Sequence, residues 1–230
     1  MKFIVGNWKM NGTISDMENM TQAISEIETE NKVILCPPFT LLYCKNNGVT
    51  IGAQNISEHE NGAYTGDISG QMIIDAGAKY VLVGHSERRL YHNETNEIVK
   101  SKASMAIKHN LIPIICVGET LDERKSGKTE YVIKTMLEQS LPGDGEFMIA
   151  YEPRWAIGTG LTPTIPEIES VHKLLFEYLK NRKNTPILYG GSVKPDNAQT
   201  IANVPHVDGL LVGGASLKPE TFLPIIKSVK

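Results

Sequence analysis

Cysteine is scarce in this sequence, three residues in 230. Cys36, Cys44 and Cys116 have neither the even count nor the spacing of a disulfide framework or a metal-binding knuckle. We therefore expect a reducing, cytoplasmic compartment and no metal. Long apolar runs are missing too. Nothing approaches the roughly 20 apolar residues of a membrane-spanning helix. The opening "MKFIVGNWK" offers only three consecutive apolar residues, too few for the core of a signal peptide. Neither sign of charge dominates: 23 Lys and Arg stand against 26 Asp and Glu, for a net charge of −3. That balance leaves no electrostatic footprint for nucleic acid or an anionic membrane. No Pro-, Gly- or Ser-rich linker divides the chain, which reads as one domain over residues 1–230. Nucleotide-binding glycine motifs are absent. The first apolar run is followed by "NWKMNG" rather than G-x-G-x-x-G, and "GKT" at 127–129 lacks the upstream glycine of a P-loop because position 122 is Asp. No H-E-x-x-H occurs, so no cofactor is expected either.

What is present is regular. Short apolar runs recur at 2–7, 32–36, 49–54, 79–84, 111–118, 146–151, 186–190 and 207–214. They are apolar nearly throughout rather than alternating, as expected of parallel strands covered on both faces. Between them lie amphipathic stretches with helical spacing, at 15–30, 96–109 and 165–181. Ser15 and Thr164 are expected helix N-caps. Strand followed by helix, eight times over, predicts an α/β fold of the (β/α)8 barrel type rather than an open doubly wound sheet.

In such barrels the chemistry gathers at the C-terminal ends of the strands. Asn7 and Lys9 follow the first run, His85 the fourth and Glu152 the sixth. Gly190, Gly191 and Ser192 follow the seventh, and Gly213 and Gly214 the eighth. Taken singly, each has an ordinary structural reading; their joint placement at one end of a barrel does not. The glycine turns remove side chains where a ligand must approach backbone N–H groups, and the loops after strands seven and eight are a frequent phosphate site. Ser86 is expected to cap a helix that starts beside His85, which would favour a neutral imidazole. Glu152, leaving an apolar strand, is expected to be a desolvated base. A carboxylate, a neutral imidazole and a lysine near a bound phosphate fit proton abstraction next to a carbonyl. That describes an enediol-type isomerisation of a small sugar phosphate, with the sugar itself left open.

The segments "GNWKMN", "GAQN", "NGAYTGDIS", "VGHSERR", "AYEPRWAIGTG", "YGGSV" and "DGLLVGGASLKPE", in this order from residue 6 to residue 220, resemble the triosephosphate isomerase family. The resemblance implies interconversion of dihydroxyacetone phosphate and D-glyceraldehyde 3-phosphate through a cis-enediolate, a step of glycolysis and gluconeogenesis. That family is itself a standard worked case of carboxylate base, neutral histidine and lid closure, so these roles are carried over from it. It implies Glu152 as base, His85 as electrophile and Lys9 as stabiliser of the developing charge. Asn7 would help hold the substrate, and the N–H groups of Gly158, Ser192, Gly213 and Gly214 would hold the phosphate. Glu87, pairing with Lys9 or its surroundings, and Ser86 would support the site. Residues 153–163 would form the lid, with hinges at 153–155 and 161–163. The long polar segment 55–69 would be a dimerisation loop of a homodimer, inserting Tyr64, Thr65 and Gly66 near the partner's site. Arg154 and Leu161 depart from the family pattern, standing where a small apolar residue and a lysine are common. Two readings compete with an active triosephosphate isomerase: another phosphate-binding barrel isomerase or epimerase, and a non-catalytic binding scaffold.

Overall fold

The computed structural model describes residues 1–157, 161–182 and 185–230. Gly158, with the rest of the expected lid tip at 158–160, lies outside the described residues. Eight strands, β1 (Phe3–Asn7), β2 (Lys32–Cys36), β3 (Thr50–Ala53), β4 (Tyr80–Val83), β5 (Ile112–Val117), β6 (Met148–Tyr151), β7 (Ile187–Tyr189) and β8 (Gly209–Val212), fall inside the eight apolar runs. Each pairs in parallel with the next, and β8 returns to β1 to close the barrel. The helices α1 (Ile14–Ser25), α2 (Gly70–Asp75), α3 (Ser86–Tyr91), α4 (Asn96–Lys108), α5 (Leu121–Lys125), α6 (Thr129–Ser140), α7 (Ile165–Leu179), α8 (Ala198–Ala202) and α9 (Pro219–Ser228) surround it.

Successive strand residues point to opposite faces. Val5, Ile34, Leu82, Ile114, Met148 and Leu188 belong to one buried cluster, which fills the barrel. Their neighbours Ile4, Val33, Val81, Ile115, Ile149 and Ile187 belong to a second, which packs against the helices. Both faces are apolar, and this is why the runs show no alternation. The same parity places the functional ends. Met148 and Ala150 face inward on β6, so the next inward position is Glu152. Val5 faces inward on β1, so the next is Asn7. The barrel interior thus delivers a carboxylate and an amide to its own mouth.

The helical layer is less regular than expected. Among the described residues, β2 and β3 are joined by a 3-10 turn at Phe39–Leu41 and no α-helix. This connection starts with Pro37-Pro38 and ends with Asn46-Asn47-Gly48, which leaves little room for a longer helix. The helix expected over 15–30 runs only to Ser25; continuing it would stack Glu26, Glu28 and Glu30 at the negative end of the helix dipole. Its cap is Thr13 rather than Ser15. Asp16 N–H donates to Thr13 Oγ1 at 3.2 Å, and Thr13 N–H donates to Asp16 Oδ2 at 2.8 Å. This reciprocal pair satisfies two backbone donors at once. Thr164 does cap α7, with its N–H on Glu167 Oε2 at 2.7 Å.

Candidate active site

Glu152 follows the buried strand β6 without a break and is only 3% exposed. Its backbone fits because Gly118 follows β5, where a Cβ would come within 1.7 Å of Glu152 O. Its Oε1 lies 3.0 Å from His85 Nε2, and its Oε2 accepts the Ser86 N–H at 3.0 Å. His85, 5% exposed, accepts the Glu87 N–H on Nδ1 at 3.2 Å. His85 itself is therefore the N-cap of α3, and Ser86 is the first helical residue. This corrects the expectation for Ser86: its backbone, freed by the cap geometry, holds the carboxylate.

The two side chains shift one another. Burial pushes the Glu152 carboxyl up, but the His85 ring, the Ser86 N–H and Lys9 outweigh it and leave the group below the ordinary carboxylate range. Burial pulls His85 down, but the Glu152 carboxylate beside it, helped by Glu87, leaves the ring above its ordinary value. The expected helix N-terminus is present at Nδ1, yet the carboxylate at Nε2 outweighs it. Because Nδ1 accepts a backbone N–H, the proton of the neutral ring sits on Nε2, facing Glu152.

Lys9 has φ +54°, the left-handed region, which costs about 1–3 kcal/mol for a residue with a side chain. Its backbone is fastened at both polar atoms. Asn7 Oδ1 accepts the Lys9 N–H at 3.0 Å, and Gln54 Nε2 donates to Lys9 O at 2.8 Å and to Cys36 O at 2.8 Å. The Lys9 ammonium pairs with Glu87 Oε1 at 2.6 Å.

These groups open onto a cavity of about 470 Å³ lined by Asn7, Lys9, His85, Glu152, Ser192, Gly213 and Gly214, together with Gly190, Gly191, Ile157 and Lys194. Every expected catalytic or substrate-holding residue that the structure describes is here. Among the described residues beyond the chain neighbours, a Cβ on Gly214 would meet no atom within 4 Å, and one on Gly213 only Lys9 Cε at 3.6 Å. Protein packing therefore does not demand these glycines; they leave room on the cavity side. After Gly213 the chain makes a 3-10 turn, Gly214–Ser216.

Tyr64, Thr65 and Gly66 lie apart from this cavity on an exposed loop. The loop is closed at its base by Ser57 N–H on Ile68 O at 2.8 Å and Ser57 Oγ on Asp67 Oδ2 at 2.6 Å. Tyr64 stacks on His59 with ring centroids 3.8 Å apart.

Two supporting residues escaped the sequence reading. Gln54 gave no chemical signal of its own. Glu119 did: like Glu152, it is a carboxylate directly after an apolar run, here 111–118. Fully buried, its Oε1 accepts from Arg124 Nη1 at 3.1 Å, Tyr151 OH at 3.2 Å and Trp155 Nε1 at 3.1 Å. Arg124 also reaches Glu167 Oε1 at 2.7 Å and lies over the Trp155 ring, 5.0 Å from its centroid. One guanidinium thus touches the first hinge of the expected lid at Trp155 and, beyond the second hinge, Glu167. Cys36 and Cys116 are buried thiols; burial pushes Cys36 up to about 12 and Cys116 upward as well.

A closed parallel barrel with a buried carboxylate–imidazole pair beside an open, glycine-lined pocket defines a barrel enzyme built for proton transfer next to an oxyanion. Residues 2–229 match the sequence model of the family Triosephosphate isomerase. The triosephosphate isomerases of Ruegeria sp. (strain TM1040) and Rhodopseudomonas palustris (strain BisA53) are each 45% identical to the chain. The first alignment covers 99% of this chain and 98% of the relative; the second covers 96% and 95%. The crystal structure of triosephosphate isomerase from Bartonella henselae superposes with a TM-score of 0.89 at 39% identity, covering 99% of this chain and 98% of that one. The chain belongs to the triosephosphate isomerase family.

Proposed function

We infer that this chain interconverts dihydroxyacetone phosphate and D-glyceraldehyde 3-phosphate, with Glu152 as the proton carrier. The observation that carries the assignment of roles is the Glu152–His85 pair, 3.0 Å apart at the wall of the glycine-lined cavity. A three-carbon substrate lies with its phosphate toward Ser192, Gly213 and Gly214 and its carbonyl oxygen toward His85. Glu152 removes a proton from the carbon next to the carbonyl, the C–H electron pair forms the new C=C bond, and the carbonyl electrons move onto oxygen. His85 Nε2–H donates to that oxygen, and the Lys9 ammonium stabilises its charge. Proton exchange between the two enediolate oxygens through His85, then return of the proton from Glu152 to the neighbouring carbon, completes the isomerisation. Atoms and charge balance without a cofactor.

Substrate entry itself changes the pair. A carbon placed against Glu152 and an oxygen against His85 separate the two side chains. The ring loses the carboxylate that raises it, and its Nε2–H is freed to donate to the substrate oxygen. Residues 153–163 act as the lid, which excludes water from the enediolate and discourages loss of phosphate. Gly158 contributes an N–H to the phosphate when it closes.

Residues 1–230 work as one domain in the cytoplasm. The closure of β1 on β8 supports the first point; among the described residues, no helix is long and apolar enough to cross a membrane. Two copies pair through the loop carrying Tyr64, Thr65 and Gly66. The testing experiment is interconversion of the two triose phosphates by purified protein, read through a coupled dehydrogenase, with Glu152→Ala alongside. Fast turnover lost in the variant supports substrate, reaction and base together; no turnover by folded wild type overturns the assignment.

A further inference from the structure

The β4–β5 ladder stops at Val83, paired with Ile115, while β5 runs on through Cys116 and Val117. Beyond Val83 the chain turns away at Gly84, with φ +67°, to set His85 at the start of α3. A Cβ on Gly84 would meet Val99 Cγ2 at 2.6 Å, so glycine is what allows the turn to pack this closely. Where the ladder ends, a side chain takes over. Arg89 Nε donates to Gly84 O at 2.8 Å, and its Nη2 donates to Cys116 O at 3.2 Å. Its Nη1 donates to Asn96 Oδ1 at 2.7 Å, an oxygen that also accepts from Ser140 Oγ at 3.2 Å. One planar guanidinium thus spans the ends of β4 and β5 and ties them to α4 and α6.

The acids nearby are taken by other cations: Glu87 pairs with Lys9, and Glu94 with Arg88 and Lys102. Among the described residues Arg89 forms no ion pair. Its acceptors are neutral oxygens, and burial pulls the guanidinium below its ordinary value. A charge in such a place is costly unless its donors are satisfied. What arginine supplies there is a rigid fork of N–H groups that no other side chain offers. That fork bears on both reacting side chains. Gly84 directly precedes His85. Val117, next to Cys116, accepts the Glu152 N–H at 2.7 Å. His85 and Glu152 follow β4 and β6, with β5 between these strands. The guanidinium holds the first to β5, and β5 holds the second.

We propose that Arg89 is a positioning residue of the isomerisation: by fixing Gly84 O against Cys116 O it sets where His85 and Glu152 face one another. This rests on the triose phosphate reading of the site and adds the group behind it that keeps base and electrophile in register.

The test compares wild type with Arg89→Lys and Arg89→Met. Lysine keeps the charge, but its one nitrogen cannot stand at the three positions of the fork; methionine keeps neither. Each variant is assayed under conditions where circular dichroism shows it folded. The measurements are kcat and KM for glyceraldehyde 3-phosphate, the Kd for inorganic phosphate by calorimetry, and 1H–15N spectra of the histidine rings. In those spectra the His85 signal is identified by its loss in His85→Asn. We expect kcat to fall at least ~100-fold in Arg89→Met and about tenfold in Arg89→Lys, the scale of a misplacement of about 1 Å or less. KM and the phosphate Kd should stay within about threefold of wild type, because the glycine turns are untouched. The His85 ring signal should shift in both variants without any ligand. Wild-type kcat in either variant would overturn the proposal. So would a loss of phosphate affinity as large as the loss of kcat, the mark of a general loosening. Should Arg89→Met fail to fold, Arg89→Lys decides by the same readings. The ring spectra need no turnover: a wild type that leaves triose phosphates unreacted overturns the reaction, whereas an unmoved His85 signal overturns the positioning role.

Discussion

Glu152 Oε1 and His85 Nε2 stand 3.0 Å apart, each almost wholly buried, and each holds the other away from its ordinary ionisation. The carboxylate is anchored on its far oxygen by the Ser86 N–H and the imidazole on its far nitrogen by the Glu87 N–H. Both backbone donors come from the first turn of α3, so one helix start aims base and electrophile together. Shortening the base by one methylene moves its oxygens away from the reacting carbon without touching the glycine turns. Glu152→Asp should lower kcat at least ~100-fold, the scale of a misplacement of about 1 Å. Binding of a phosphate-bearing inhibitor should change by less than threefold or so. Steady-state kinetics with an inhibition constant check this, and an unchanged kcat would remove Glu152 from the role of base.

Gln54 is an amide with a positioning task. It donates to Lys9 O and Cys36 O and so ties the left-handed backbone of Lys9 to the end of β2. Gln54→Ala leaves both carbonyls without this donor and relaxes a strained residue. We expect kcat/KM to fall about tenfold, with stability reduced by about 1–2 kcal/mol. Gln54→Glu, similar in shape but without the amide donors, should be no better. Wild-type kcat/KM in the alanine variant would show that Lys9 holds its place by other means.

Much of this arrangement was legible in the residues. The barrel was readable because strands covered on both faces give uninterrupted apolar runs, and eight of them fit a closed parallel sheet. The mouth residues were readable because a carboxylate or imidazole directly after such a run has to emerge at the strand's end. The helix boundaries were not, since caps depend on single hydrogen bonds: Thr13 and Asp16 form a reciprocal pair that Ser15 does not. Nor was the direction in which the surroundings shift His85. The sequence places it beside a helix start, but only three-dimensional proximity puts Glu152 on its other nitrogen. Glu119 carried the same signal as Glu152 and was passed over because no motif drew attention to it.

Glu119 gathers three donors from three elements on one oxygen, and Arg124 extends the group to Glu167 at the start of α7. Glu119→Gln keeps the volume and removes the charge that faces Arg124. Such a change at a fully buried carboxylate should cost about 2–3 kcal/mol of stability. Because Trp155 opens the lid segment, kcat/KM should also fall about tenfold. Chemical denaturation and kinetics on the same preparation check both effects. A loss of stability with full activity would confine Glu119 to holding the fold.

The exposed loop bearing Tyr64, Thr65 and Gly66 is closed at its own base and projects Tyr64 stacked on His59. If a second copy receives this loop, a long cation at its tip has no room. Thr65→Arg should yield monomers with turnover reduced at least ~100-fold, since Lys9 and Asn7 lose the partner that packs near them. Sedimentation at several protein concentrations, with activity measured on the same samples, is the check. A fully active dimer would sink the assignment of this loop to the interface.

His172, on α7, is wholly buried, with Nδ1 3.0 Å from His206 O and Tyr151 and Tyr189 packed nearby. Burial pulls its pKa from 6.5 to about 4, against the opposing hydrogen bond to His206 O. The native state therefore holds the ring neutral between pH 6.5 and 4 while the unfolded chain binds a proton there. Stability from this group is fully present above pH 6.5 and is lost as pH falls toward 4. A shift of this size corresponds to about 3 kcal/mol, most of it gone near the lower limit. Denaturation midpoints across this range, at one protein concentration, should fall with acid in wild type. In His172→Leu they should start lower, because His206 O loses its donor, and fall less steeply. Parallel slopes in the two proteins would show that other groups govern the acid response.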